Sequence, residues 1–505
     1  MDHQMLVLAP VGLPAVAAVG YAVFGWRRVI AWLGAVAAAG LLAAAVALAV
    51  TTTREGRALT ALGGLLRADA LSAFMLIVIG AVALAAMLAS PSYLAAELAA
   101  RHTGPRATRR YGVFTQGFVA AMALAVLAAN LGVLWVAVEA TTILTAFLVG
   151  HRRTRKATEA AWKYVVICSV GIALALLGLV LAHYAALHAR VPEAGALDWA
   201  ILSAHAAELD PGVMRIAVAL LVLGFGTKAG LAPMHAWLPD AHSQAPAPVS
   251  ALMSGVLLSV AFYAILRVKV IADVALGVGF TRTLLVVVAL ASLAVSAALL
   301  LAQRDYKRLL AYSSIEHMGL VALGAAIGTR LAMAAVLLHV LGHGLGKSAL
   351  FLSSGYIQQG VGSSRIAAVR GLARRAPLVA GAFALGLLAL LGMPPFSLFA
   401  SEVGIVRAGF DAGLGWAVAA ALVLMLVIVA AVLGRARGML LGPPAADTGG
   451  GSGGGGDRAA AAVRFPVTAA APIVVGLAAC AAIGVAAGPL VTLLETAAEL
   501  TGAVR

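Results

Sequence analysis

The chain has 505 residues, 63% of them hydrophobic and 11% charged, with a mean hydropathy of +1.03. Soluble domains carry about 25% charged residues, so composition excludes a water-soluble globular protein and points to a chain that crosses a membrane many times. Lysine and arginine outnumber aspartate and glutamate by 35 to 20, yet they sit in short loops between apolar runs, as a topology signal does, with no basic domain or aromatic-interleaved patch for nucleic acid.

A membrane-crossing helix needs about 20 apolar residues, and on that measure about fourteen segments are predicted. They cover 5–24, 29–51, 69–90, 111–129, 130–150, 162–186, 213–235, 248–271, 282–302, 307–328, 331–357, 376–410 (interrupted), 413–434 and 466–492. The first lacks a basic leader and a cleavage site and reads as a retained span. The two cysteines, Cys168 and Cys480, lie in apolar runs; they are too few for a four-thiolate cluster or zinc site and read as buried small residues. The loop 442–457, with Gly449 to Gly456 almost all glycine, reads as a flexible linker.

Loop charge sets the expected orientation. Arg27-Arg28, the run from Arg101 to Arg110, His151 to Lys156, Arg304 to Arg308, Arg365 to Arg375 and Arg435 to Arg437 all follow odd-numbered segments, while acidic residues Glu193 to Asp210 follow segment six. Both termini are therefore expected outside the cytoplasm, against the dissent of Arg54, Arg57 and Arg67. The organisation read from this is helices one to three over 1–110, a five-helix unit over 111–271 and an inverted five-helix unit over 272–440. A Gly-rich loop over 441–465 and a last helix over 466–505 complete it.

Two segments carry breakers at membrane depth. Segment seven runs from Ile216 into Gly224-Phe-Gly226-Thr-Lys228-Ala-Gly230-Leu-Ala-Pro233, and segment twelve contains Gly392-Met-Pro394-Pro395 shortly before Glu402. Each is the fourth of its five-segment unit, and paired interrupted helices in inverted repeats mark the ion site of many transporters. A lysine in hydrocarbon is costly unless it finds water or a partner, so Lys228 is a candidate functional residue. Glu139, about half-way through segment five, is its expected partner, either as a proton-exchanging pair whose opening shifts the lysine's proton affinity or as a fixed structural pair.

His339 and His343 lie four apart on one helical face, with Lys347 a further turn on and His317 in the preceding segment. A polar relay and packed, hydrogen-bonded histidines are both open readings; no third residue at metal-ligand spacing accompanies the pair, so no metal is expected. Gly346-Lys347-Ser348 superficially suggests a phosphate loop, but Leu341 stands at its first glycine position and no strand precedes it. Glu316 has no assigned direction. Lys163 reads equally as a residue snorkelling to the surface or as part of a pathway. Arg267 and Lys269 are expected at the membrane interface. Asp240 and His242 are expected in an ordered cytoplasmic turn.

The stretch from Thr227-Lys228 to Pro233, followed by His235-Ala-Trp-Leu-Pro-Asp-Ala-His-Ser-Gln-Ala-Pro246, resembles the proton-translocating antiporter-like subunits of respiratory complex I and membrane-bound hydrogenases. Tyr312-Ser-Ser-Ile-Glu-His-Met-Gly319, Gly346-Lys347-Ser348, Pro394-Pro395-Phe396 and Ser401-Glu402 are similar to the hydrogenase-4 component F branch. The resemblance spans segments three to thirteen. It implies an all-α polytopic membrane fold with two inverted repeats and a proton path along the membrane midplane. Glu139, Lys228, His343 and Glu402 match family positions on that path; His317, His339 and Lys347 are further relay candidates, and Lys163, Ser259 and Tyr263 accessory ones. Complex I relatives often carry a lysine where Ser259 stands, so either water and Tyr263 bridge toward His343 or charge coupling is weaker here.

It further implies a subunit of a prokaryotic inner-membrane complex, with other membrane subunits and a peripheral redox arm as partners, H+ as the transported ion and no cofactor in this chain. A Mrp-type Na+/H+ antiporter subunit, the membrane subunit of an inorganic-carbon uptake system, and a scaffold that has lost transport are the alternatives.

Overall fold

The computed structural model describes residues 3–443 and 467–503. The chain is almost entirely helical: α1 His3–Phe24, α2 Leu33–Glu55, α3 Ala70–Ala99, α4 Pro105–Leu127, α5 Leu131–Val149, α6 Arg155–His188, α7 Pro211–Lys228, α8 Ala247–Leu276, α9 Val278–Leu300, α10 Tyr306–Ile327 and α11 Arg330–Val361. These are followed by α12 Pro377–Leu390, α13 Ser397–Asp411, α14 Gly415–Leu441, α15 Val467–Val485 and α16 Gly488–Glu499. A two-stranded hairpin, β1 Leu59–Ala61 with β2 Leu66–Ala68, joins α2 to α3. Among the described residues, 12 helices are long and apolar enough to cross a membrane unaided. The expected linker from Gly442 to Asp457 lies, but for its first two residues, outside the described residues.

Helix starts are set by short polar side chains that accept the free N–H groups of the first turn. Asn130 Oδ1 accepts from Gly132 N at 2.8 Å, Thr154 caps α6, Asp305 caps α10 and Thr329 caps α11. The bundle is layered by polarity. α8 is buried from Ala247 to Lys269, and α10 and most of α11 are buried too, while α1 and α14 turn most of their surface outward. The exposed residues on the outer helices are large and apolar, Val166, Val170, Leu422, Val423 and Leu426 among them, as a lipid-facing surface requires.

Glycine does two different jobs in segment seven. The break falls after Lys228, not among the first glycines: α7 is helical through Gly224, Gly226 and Lys228, and the chain leaves it at Ala229 to Ala236. Gly230, with φ +77°, supplies the left-handed turn. Gly224 instead packs. A Cβ there would stand 2.6 Å from Ala175 N and Gly171 O, and one on Gly171 would meet Thr227 at 2.5 Å. α6 and α7 thus touch backbone to backbone, the close approach that small residues permit between membrane helices.

Arg267 and Lys269, expected at the membrane interface, are buried against partners near the end of α8. Arg267 is buried, with its guanidinium 2.7 Å from both Asp69 oxygens, 2.9 Å from Tyr263 Oη and 4.0 Å from the centroid of the Trp199 ring. Lys269 is buried against Asp273 at 2.5 Å. A charge with a bidentate partner need not snorkel. Asp69 also caps α3 through Ser72 N at 2.8 Å, so one carboxylate ties α3 to α8. Arg267→Met leaves Asp69 buried and unpaired and is expected to cost about 3–5 kcal/mol, seen as a lowered unfolding midpoint in detergent. The double variant Arg267→Met/Asp69→Leu is expected to recover most of it.

Candidate functional site

Lys228 ends α7 in the interior, wholly buried. Its Nζ donates to Thr142 Oγ1 at 2.8 Å and to Tyr164 Oη, and lies 4.5 Å from the centre of the Tyr164 ring. Thr142 Oγ1 in turn donates to Glu139 Oε2 at 3.0 Å. The expected partners Glu139 and Lys228 thus meet through one hydroxyl: no carboxylate oxygen of Glu139 comes within 4 Å of Nζ, and Thr142 relays between them. The reason is helical spacing. Glu139 and Thr142 are three apart on α5 and share a face, and Thr142 reaches the ammonium first. Tyr164 Oη closes the cluster against Thr145 Oγ1 at 2.6 Å.

A second cluster gathers on α10, α11 and α13. His317 Nδ1 and His339 Nε2 are 3.0 Å apart, and His339 Nδ1 is 2.9 Å from Ser401 Oγ. Ser401 gives its own proton to Leu398 O at 2.7 Å. In neutral rings this fixes direction: His339 donates through Nδ1, so its Nε2 accepts from His317. The His343 ring lies 5.0 Å from that of His317. Lys347, one turn along α11, is buried with Nζ 2.6 Å from both Leu310 O and Ser313 Oγ. A Glu402 oxygen and nitrogens of His317 and His339 lie within 4.8 Å of one another. Glu402 thus supplies the third group that sequence spacing did not offer, although the two rings already hydrogen-bond each other. Glu316 is buried on the same side, within electrostatic reach of Glu402 and Lys347.

The break between α12 and α13 makes room for this. Gly392 has φ +61°, and a Cβ on it would collide with the Glu402 carboxylate. Gly342 likewise leaves space for Ser397 at the start of α13. α8 and α11 cross at Gly255 and Gly344, where a Cβ on either would sit about 3 Å from the other's carbonyl oxygen.

Between the clusters stand Trp237 and His242, on the short helix Trp237–Gln244 that follows the first break. Trp237 packs on Tyr164 at 4.9 Å and donates to Thr227 O at 2.9 Å. His242 lies 6.0 Å from Trp237 and 5.7 Å from Phe351, wholly buried, with neither ring nitrogen hydrogen-bonded to a described residue. Lys307 and Lys347 are its charged neighbours. His242 is therefore part of the interior, not of a surface turn, and it is the residue that sequence reasoning missed. Its one sequence signal is its place just after a helix break.

The expected accessory residues fall elsewhere. Tyr263 Oη donates to Val126 O at 2.8 Å and belongs to the Arg267–Asp69 network, so it does not bridge toward His343. Ser259 Oγ is buried and finds no partner among the described residues. Lys163 is half-exposed and held by Glu159 at 2.6 Å and Asp240 at 3.2 Å, which is a rim position. Cys168 and Cys480 are buried free thiols, as expected.

A buried chain of lysines, histidines and carboxylates inside a polytopic helical bundle defines an ion-translocating membrane protein class. Residues 128–428 match the family described as NADH:quinone oxidoreductase/Mrp antiporter, transmembrane, and the chain belongs to that family as an antiporter-like membrane subunit. It is 38% identical over 348 residues to a hydrogenase-4 component F homolog of Methylacidiphilum infernorum, covering 69% of this chain and 73% of that one. It is 36% identical over 270 residues to NADH-quinone oxidoreductase subunit N of Desulforudis audaxviator, covering 53% and 52%. In fold it is similar to a chain of an archaeal membrane-bound sulfane sulfur reductase (TM-score 0.85, 23% identity, 98% and 97% covered). It is also similar to one of the Mrp complex from Dietzia sp. (TM-score 0.82, 25% identity, 99% and 97% covered).

Gly392→Ala both strains a left-handed residue and pushes the Glu402 carboxylate out of its recess. Labelling of Glu402 by an apolar carbodiimide, followed by peptide mass spectrometry, is expected to speed up several-fold relative to the unaltered protein.

Proposed function

We propose that this chain conducts protons across a prokaryotic cytoplasmic membrane as the non-redox subunit of a multisubunit complex. A peripheral redox arm of the membrane-bound hydrogenase or complex I kind would drive it, and neighbouring membrane subunits would flank it. The observation that carries this is the series Glu139, Thr142, Lys228, His242, Lys347, His343, His317, His339 and Glu402, buried throughout except for its two partly exposed end carboxylates, which runs between the two broken segments through groups able to take and release protons. Lys228 exchanges its proton as the Glu139–Thr142 relay forms and breaks beside it, since a nearby carboxylate favours the charged lysine. His242 occupies the position between the clusters that a charged residue at Ser259 would otherwise serve. The histidine pair passes a proton by reversing its donor and acceptor roles, and Glu402 exchanges it with the next subunit or the far side.

In this reading 111–271 and 272–440 are inverted repeats, the break after α7 and the break before α13 are equivalent, and both termini are extracytoplasmic. Similarity to the Mrp complex over 99% of this chain supports a second reading, in which Na+ is exchanged for H+.

In inverted vesicles carrying the whole complex, Lys228→Ala is expected to abolish redox-driven acidification while assembly and electron transfer persist. An unchanged proton-to-electron ratio would sink the proposal. Thr142→Val removes a hydrogen bond to a charged group, worth about 1.5–3 kcal/mol, so acidification is expected to slow roughly tenfold or more, with Thr142→Ser close to the unaltered rate. A Na+ gradient that drives acidification without redox turnover would establish the second reading instead.

A further inference from the structure

A cavity of about 1120 Å³ lies outside the two buried clusters, at the rim that holds Lys163, where the start of α6, the α9–α10 turn, the segment after α11 and the last third of α14 meet. Three carboxylates line it, and all are engaged. Glu159 holds Lys163, Asp240 holds Lys163 and Arg308, and Asp305 caps α10 and accepts from Ser364. Lys156, Arg304, Arg365 and Arg370 line the same cavity, exposed, and none of these four has an ion-pair partner among the described residues. Four unscreened cations around one recess attract an anion of more than one charge.

The depth is that of lipid headgroups, because every element at the cavity is a helix end or a turn. α14 provides the way down. Gly434 and Gly438, one turn apart, both line the cavity, and no atom lies within 4 Å of where their Cβ atoms would stand. Further along the same helix Val423 and Leu426 are exposed and apolar. The cavity thus joins a cationic mouth to a smooth strip that continues into the lipid-facing surface. The chain's own segment 444–466 does not suit it: that segment balances Asp447 and Asp457 with Arg458 and Arg464 and brings no net negative charge.

We infer that this cavity binds an anionic phospholipid with two phosphodiesters, its headgroup among Lys156, Arg304, Arg365 and Arg370 and an acyl chain along Gly434 and Gly438. Basic pockets between helix ends at a membrane surface are suited to such headgroups.

The test uses the full chain, delipidated in detergent and given diphosphatidylglycerol or phosphatidylcholine, with bound lipid counted by native mass spectrometry. The unaltered protein is expected to retain diphosphatidylglycerol over phosphatidylcholine. Arg365→Gln/Arg370→Gln is expected to lose that retention about tenfold or more, from two surface charges removed, while Arg101→Gln/Arg106→Gln, outside the cavity, keeps it. Gly438→Leu fills the strip and is expected to weaken retention with every charge in place. Melting in phosphatidylcholine nanodiscs checks that the variants fold. Equal retention by the cavity double variant and the outside control overturns the proposal, as does a preference for inorganic pyrophosphate over the lipid. An acidic polypeptide that displaces the lipid completely at equimolar amounts also overturns it.

Discussion

Everything in this fold answers to a lysine side chain wholly buried among the helices. A charged lysine at the centre of a helix costs about 2.5–3.5 kcal/mol on insertion scales, and Lys228 meets that cost with two hydroxyls and an aromatic ring supplied by α5 and α6. Those acceptors are useful only if α7 sits at one depth and rotation. The glycine seam between α6 and α7 provides this: Gly171, Gly178 and Gly224 leave no room for either helix to slide. The break after Lys228 then sends the chain sideways, which carries Trp237 and His242 into the interior, where Trp237 donates to Thr227 O at the helix end.

The second half solves a similar problem with different chemistry. Its charged group, Glu402, is held over a glycine that has no side chain to oppose it, and a pair of histidines lies close by. The first cluster is tied by hydroxyls to one ammonium; the second is tied by rings that each offer a donor and an acceptor. Between them stands His242, neither of whose ring nitrogens is hydrogen-bonded to a described residue.

Much of this was legible beforehand. Hydropathy located each of the 12 described helices long and apolar enough to cross a membrane, because a run of about 20 apolar residues has few other structures open to it. The costly residues, Lys228, Glu139 and Glu402, announced themselves by being out of place. What the sequence hid depends on distance across helices. Thr142 is an ordinary residue until Lys228 is seen to reach it before Glu139. The burial of Arg267 was hidden because nothing near it in the chain discloses that Asp69, at the start of α3, faces it. Tyr263 was placed toward the wrong neighbour for the same reason, and His242 was assigned to a turn because its surrounding prolines are turn residues. Periodicity gives a residue's face but not what lies opposite.

The sheathing of α8, α10 and α11 has a consequence for how the protein is made. α10 and α11 carry two buried lysines and three buried histidines, which makes them among the least apolar of the spans, and α14, at the rim, is the most apolar. A ribosome delivering them one at a time would present to lipid the segments least able to stay there. Their residence in the membrane therefore depends on partners synthesised earlier and later, so biogenesis must hold several helices together before releasing any of them.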